Sequence, residues 1–243
     1  MKITHAEIIL TKVPVRRPHK MAIGTTLFQE CVFLKIFTDE GLVGLGEAPH
    51  MVGHSGAGET QSSVALQLRE RLVPAILGKN PLEIEARQSE VNRTIPWNPR
   101  AKSAVNIALY DLVGKIFKTP VYNLLGGKVR DGIPLSWSIG VMPFDIGREE
   151  AAGMVEKGFT ILKVKVGARE NPADDVEMLR QVRHAVGDKI SLRADANQGY
   201  NVPTAIRVVR AMESSNLEFI EQPVGRWDLE GLAEVRRNVT CPV

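Results

Sequence analysis

From residue 132 onward the chain repeats one pattern at a spacing of about 30 residues: a short β-rich segment followed by an amphipathic helical one. The strand candidates are IPLSWSIGV (133–141), TILKVKVG (160–167), KISLRADAN (189–197) and LEFIEQP (217–223). The helical candidates between and after them are 145–158, 173–187, 202–215 and 228–239. Such alternation demands parallel strands joined by helical crossovers. The repeat length suits half of a (β/α)₈ barrel, because eight such units occupy roughly 250 residues. A doubly wound open sheet is the rival.

The strand faces separate the two. Alternate residues of a strand share a face. Leu162, Val164 and Val166 lie on one face of the second strand, Lys163 and Lys165 on the other. Leu192, Ala194 and Ala196 lie on one face of the third, Ser191, Arg193, Asp195 and Asn197 on the other. In the fourth, Phe219 and Glu221 share a face opposite Ile220. A strand sandwiched between two helix layers is apolar on both faces. Here one face is charged, with the charges crowding toward the strand C-termini, as at the mouth of a barrel. The first strand is ambiguous: Ser136 and Ser138 face one way, Leu135 and Trp137 the other.

The first 128 residues read differently. ITHAEIILTKVPV and ECVFLKIFTDEGLVGLGEA are strand-like, and TDEG makes a hairpin turn with Gly41 available for positive φ. Helical patterning follows at 59–78, 81–93 and 101–118, with Gly78 and Gly126–Gly127 as stops. Strands followed by helices form an α+β unit. The expected organisation is an α+β domain over 1–128 and an incomplete barrel of about four β/α units over 129–243.

Charge and composition narrow the partners. The net charge is +3 with no basic run, which argues against nucleic acid. No apolar run is long enough for a membrane span, and MKITHAEIIL lacks the apolar core of an export signal. Cys31 and Cys241 are far apart and read as small buried hydrophobes in a reducing compartment, so a cytoplasmic location is expected.

Asp195 and Glu221 offer hard oxygen ligands suited to Mg²⁺ or Mn²⁺ rather than zinc. Two carboxylates do not close such a site, so a further ligand is required. An amine held near a dication and near a second amine loses its proton more readily. A lysine in that setting is a candidate general base for abstracting a proton beside a carboxylate. Read one at a time, these residues also fit a solvated face, a cap or a strand end, and together a structural ion-pair network. A metal-free Schiff-base lyase and a non-catalytic binding protein are the readings from other classes.

Lys163-x-Lys165, Asp195-x-Asn197 and Glu221-Gln-Pro, in that order on β/α repeats, resemble the muconate-lactonizing subgroup of the enolase superfamily, whose base-and-metal pairing is a known pattern. EGLVGLGEA (40–48) and AKSAVNIALYDLVGKIFKTPVYNLLGG (101–127) are similar to that family's capping domain. RRPHKMA (16–22) and the Trp of SWSIG are similar to muconate cycloisomerases. The resemblance implies Lys165 as the acid/base at the substrate's α-carbon and Lys163 as the neighbour that tunes it. It implies Asp195 and Glu221 as metal ligands and Asn197 as a residue supporting the site. Loops near 17–26 and 50–58 would shape substrate choice, with His19, Met21, His50 and His54 as candidate contacts and PHMVGHSGAG (49–58) as a glycine-rich flap. The substrate would be a small carboxylate and the assembly a homo-oligomer. The activity would be muconate cycloisomerisation or, alternatively, racemisation, epimerisation or dehydration of another carboxylate such as an N-acyl amino acid or dipeptide.

The resemblance also calls for a third carboxylate ligand on the fifth strand and a lysine on the sixth. The VTCPV ending at Val243 reads as the approach to that fifth strand. The expectation is therefore of a C-terminally truncated chain, inactive alone.

Overall fold

A computed structural model describes residues 1–51 and 58–243, the side chains of His50 and Met51 excepted. The chain divides into two compact units, residues 1–16 with 26–131 and residues 17–25 with 132–243. No described helix is long and apolar enough to cross a membrane.

The first unit holds most of a three-stranded sheet, β1 (Ile3–Met21), β2 (Gly24–Thr38) and β3 (Val43–Met51), in that spatial order. β2 and β3 form an antiparallel hairpin, with Gly41 at φ +77° in the turn. Val32, Leu34 and Ile36 alternate along β2 and are fully buried. Helices α1 (Gln61–Gln67), α2 (Val73–Ile76), α3 (Ile84–Thr94), α4 (Pro99–Ile116) and α5 (Val121–Leu124) follow. The periodicity reads 59–78 as one helix, but a π-turn at Leu68–Leu72 separates α1 from α2. Pro74 has no N–H to give and its ring crowds the preceding turn, which explains the widened segment. α4 lies against β3 through two glycines. A Cβ on Gly46 would stand 1.9 Å from the Ala104 carbonyl oxygen, and one on Gly44 2.3 Å from that of Ala108.

The second unit alternates strand and helix: β4 (Ser136–Ile139), α6 (Phe144–Glu156), β5 (Ile161–Lys165), α7 (Ala173–Val186), β6 (Ser191–Asp195), α8 (Val202–Met212), β7 (Leu217–Glu221) and α9 (Leu229–Asn238). The strands pair in parallel in the order β4-β5-β6-β7. Leu162, Val164, Leu192, Ala194 and Ile220 are fully buried in a core shared with Leu179, Val182 and Val209 of the helices. α7 and α8 each supply a stripe of apolar residues to that core, so one face of the sheet is covered and the other keeps its polar residues.

Two features of this unit escape simple alternation. Between β6 and β7 the register runs Leu192↔Leu217, then Ala194↔Ile220, so β7 carries one extra residue in a bulge. The bulge keeps both Leu217 and Ile220 on the buried face and still delivers Glu221 to the polar one. Strict alternation would have put Leu217 on Glu221's face. At the chain's end, the Ile220 amide donates to the Pro242 carbonyl at 2.9 Å. Glu213 fixes this tail, its Oε1 accepting from the Thr240 and Cys241 amides at 2.6 and 3.2 Å. Cys31 and Cys241 are both buried thiols.

Candidate active site

The parallel register sets Lys165 opposite Asp195, and Asp195 opposite Glu221. Three candidate side chains thus stand abreast at the C-terminal ends of three neighbouring strands. Lys163, two residues before Lys165, points to the same face. Ser138 is its register partner on β4, which resolves the ambiguity of the first strand.

Lys165 is buried, and its Nζ donates to Asp195 Oδ2 at 2.5 Å and to Asn197 Oδ1 at 2.9 Å. An ammonium has a third donor position, and a neutral amine a lone pair, available to a reacting carbon. Lys163 Nζ stands between two carboxylates, 3.0 Å from Glu221 Oε2 and 3.6 Å from Asp195 Oδ2. Asn197 sits at φ +44°, in the left-handed region, just past the end of β6. From there its backbone amide donates to Asp195 Oδ1 at 2.9 Å and its Nδ2 to Oδ2 at 3.2 Å. Asp195, 1% exposed, is held by neighbours on both oxygens.

The donor set tests whether a dication fits. Both groups are carboxylates on adjacent strands, and a cation, the Lys163 ammonium, already lies between them. Hard oxygens around a positive centre are what Mg²⁺ or Mn²⁺ requires, so the residues fit. Among the described residues no third His, Cys, Asp or Glu joins the pair.

A second polar cluster braces the loops behind the site. Asp175 of α7 is fully buried, and its Oδ2 accepts from the Gly167 amide at 2.9 Å and the Tyr200 hydroxyl at 2.7 Å. Burial pushes the Asp175 carboxyl up from its ordinary range, against the pull of Tyr200, Gly167 and Arg169. Burial, then Asp175, likewise pushes the Tyr200 phenol up. Arg169 approaches Asp175 at 3.4 Å and donates to the Met142 carbonyl at 2.6 Å. The loops after β4, β5 and β6 are therefore tied together. Gly167 and Gly199 make the last of these contacts possible: a Cβ on Gly199 would stand 2.2 Å from the Gly167 carbonyl oxygen. Sequence alone does not single out Asp175 or Tyr200; the only hint is a tyrosine after the Asn-Gln-Gly turn.

The hairpin tip, residues 17–25, belongs to this same unit. His19 Nε2 is 3.3 Å from Ser138 Oγ, and the Val141 amide donates to the Lys20 carbonyl at 2.9 Å. Burial depresses the His19 imidazole's pKa, followed by the positive charges of Lys165, Arg17 and Lys163; Asp195 opposes them. The imidazole is thus biased toward its neutral form and lies within electrostatic reach of the lysine pair. Met21 is 4% exposed, packed within the tip. The side chains of His50 and His54, and the flap expected around them, lie outside the described residues.

Parallel β/α units with candidate site residues at the strand C-termini define the first part of a (β/α)₈-type barrel of the enolase superfamily. Residues 4–126 match the mandelate racemase/muconate lactonizing enzyme N-terminal domain, and residues 147–243 the enolase C-terminal domain-like family. The chain belongs to the mandelate racemase/muconate lactonizing enzyme family. It is 34% identical to the N-succinyl-L-Arg/Lys racemase of Bacillus cereus, whose crystal structure it matches with a TM-score of 0.93 over 100% of this chain and 65% of that one. A dipeptide epimerase from Enterococcus faecalis, complexed with Mg and the dipeptide L-Leu-L-Tyr, matches with 33% identity and a TM-score of 0.91, over 99% of this chain and 66% of that one. A muconate lactonizing enzyme from Pseudomonas fluorescens, complexed with muconolactone, matches with 30% identity and a TM-score of 0.93, over 99% and 65%. The chain thus spans about two thirds of the length of these relatives, 65% for the racemase.

Proposed function

We propose that this chain carries the acid/base half of an isomerase that moves a proton on the carbon α to a carboxylate. The observation that supports it most is Lys165 held abreast of Asp195 and Glu221 at the strand C-termini. Lys165 Nζ takes or returns the α-proton. Its hydrogen bonds to Asp195 and Asn197 fix the amine's direction and prevent it from rotating away. Lys163 contributes positive charge beside it and offsets the two carboxylates. Asn197 holds Asp195 in place. When bound, a Mg²⁺ or Mn²⁺ ion held by Asp195 and Glu221 supplies electrostatic stabilisation for negative charge that builds on the substrate carboxylate. His19, next to Ser138, provides a hydrogen-bonding group at the mouth.

Two finer readings have support. RRPHKMA and Trp137 favour muconate cycloisomerisation. The racemase and the dipeptide epimerase among the relatives favour an N-acyl amino acid or dipeptide substrate. Assay of the full-length form with Mn²⁺ separates them: loss of muconate absorbance supports the first, and deuterium uptake at an amino-acid α-carbon supports the second. Neither signal across both panels would refute the proposed chemistry.

A further inference from the structure

Resting on that reading of the site, we infer that Arg17, Glu150 and Trp137 form a latch that fastens the 17–25 hairpin tip to the C-terminal end of β4. These are positioning residues: they set where His19 stands relative to Lys165 and so govern substrate binding.

The contacts are mutual. Arg17 Nη2 is 2.7 Å from Glu150 Oε1 on α6 and donates to the Ser138 carbonyl at 3.0 Å. The Trp137 indole N–H donates to the same Glu150 Oε1 at 2.6 Å. The Arg17 guanidinium carbon lies 5.3 Å from the centre of the Trp137 ring, a cation–π arrangement. Among the described residues Arg17 Nη1 is buried without a hydrogen-bond partner, and the guanidinium that carries it lies over the indole face. Phe159 braces Trp137 edge-on at 5.4 Å between ring centroids. Glu150's side chain is 14% exposed and Arg17's 36%, so the pair is half-screened and the indole contacts add to what the charge pair alone contributes.

The latch sits beside the site. Ser138, whose carbonyl Arg17 holds, has its hydroxyl 3.3 Å from His19 Nε2. Gly140, one step further, lets the tip come close: a Cβ there would stand 3.2 Å from His19 Nδ1 and 3.3 Å from the Lys20 carbonyl oxygen. Arg17 and Trp137 are occupied with each other and with Glu150. Their work is to hold the tip, and His19 is the residue they present.

The test reads the tip directly. Trypsin cuts after Lys20, whose carbonyl is engaged by Val141 in the docked tip. Arg17→Met and Glu150→Ala should each accelerate cleavage at Lys20–Met21 about tenfold or more, and the double variant no further than either single. Arg17→Lys, which keeps the charge but loses the planar fork, should fall between. If Glu150→Ala does not fold, Glu150→Gln serves in its place. In the full-length form the same variants should raise KM several-fold more than they lower kcat, with no further effect of His19→Ala on top. Unchanged cleavage at Lys20–Met21 in every variant would overturn the latch, whatever the activity. Absent α-proton exchange in the unmodified protein would instead refute the proposed chemistry and leave the cleavage result standing.

Discussion

Lys165 and Asp195 face each other across the parallel register of β5 and β6, ammonium to carboxylate at 2.5 Å. Both are buried. A buried charge pair is stable only when its remaining positions are filled. Asn197 fills them, giving one amide hydrogen to each Asp195 oxygen and accepting from Lys165 Nζ at its own Oδ1. Removing any one member leaves the others uncompensated.

Asp195→Asn keeps the side chain's shape and an acceptor for the Asn197 amide, so it should cost metal affinity more than folding, although Lys165 loses its charge partner. In the proposed site it removes one of two charged metal ligands. Mg²⁺ or Mn²⁺ affinity, measured by calorimetry on the full-length form, should fall at least about 10-fold, the loss that even outer partners of a metal site cause.

Tyr200→Phe removes a donor from fully buried Asp175 and should cost about 1–3 kcal/mol at pH 7 in urea unfolding. The sign with pH follows from linkage. The folded-state pKa of Asp175 is already raised, so protonation favours the folded form, and losing Tyr200 raises that pKa further. The destabilisation should therefore be full above the folded pKa and shrink as pH falls through it.

Gly199→Ala should destabilise by about 1–3 kcal/mol, since the new methyl must push the Gly167 backbone aside. Gly58→Ala is a poor control because of its positive φ; Gly153→Ala, with open space around it, should cost little.

His19 should titrate with a midpoint below 6.5 in NMR of the folded protein. Its folded pKa is depressed, so the unfolded chain takes up the proton first. The stability involved is fully present above the unfolded value and declines as pH falls toward the folded one. In the Arg17→Met variant the midpoint should rise toward its ordinary value, as the tip leaves the site.

The sequence patterns of β5 and β6 were enough to place Lys163, Lys165, Asp195 and Asn197 on one face, because one-sided burial imposes strict alternation. Glu221 reaches the same face for a different reason. The bulge in β7 shifts the phase, and no composition signal marks it. Pro74 signals a disturbed helix, but not that a π-turn absorbs it. Arg17 gives no sign in the sequence that it holds Ser138, 121 residues away. Nor does Asp175 show that it anchors Tyr200. Such contacts depend on which loops the barrel brings together, and local periodicity carries no record of them.

The central claim is that Lys165 moves the α-proton. The measurement is deuterium exchange at the substrate α-carbon, in Mn²⁺, by the full-length form and its Lys165→Ala variant, with folding verified by circular dichroism. The expected result is a loss of about 10²–10⁴-fold in exchange rate in the folded variant, together with reduced stability because Asp195 loses its buried partner. Exchange that survives in a folded Lys165→Ala protein would contradict the account.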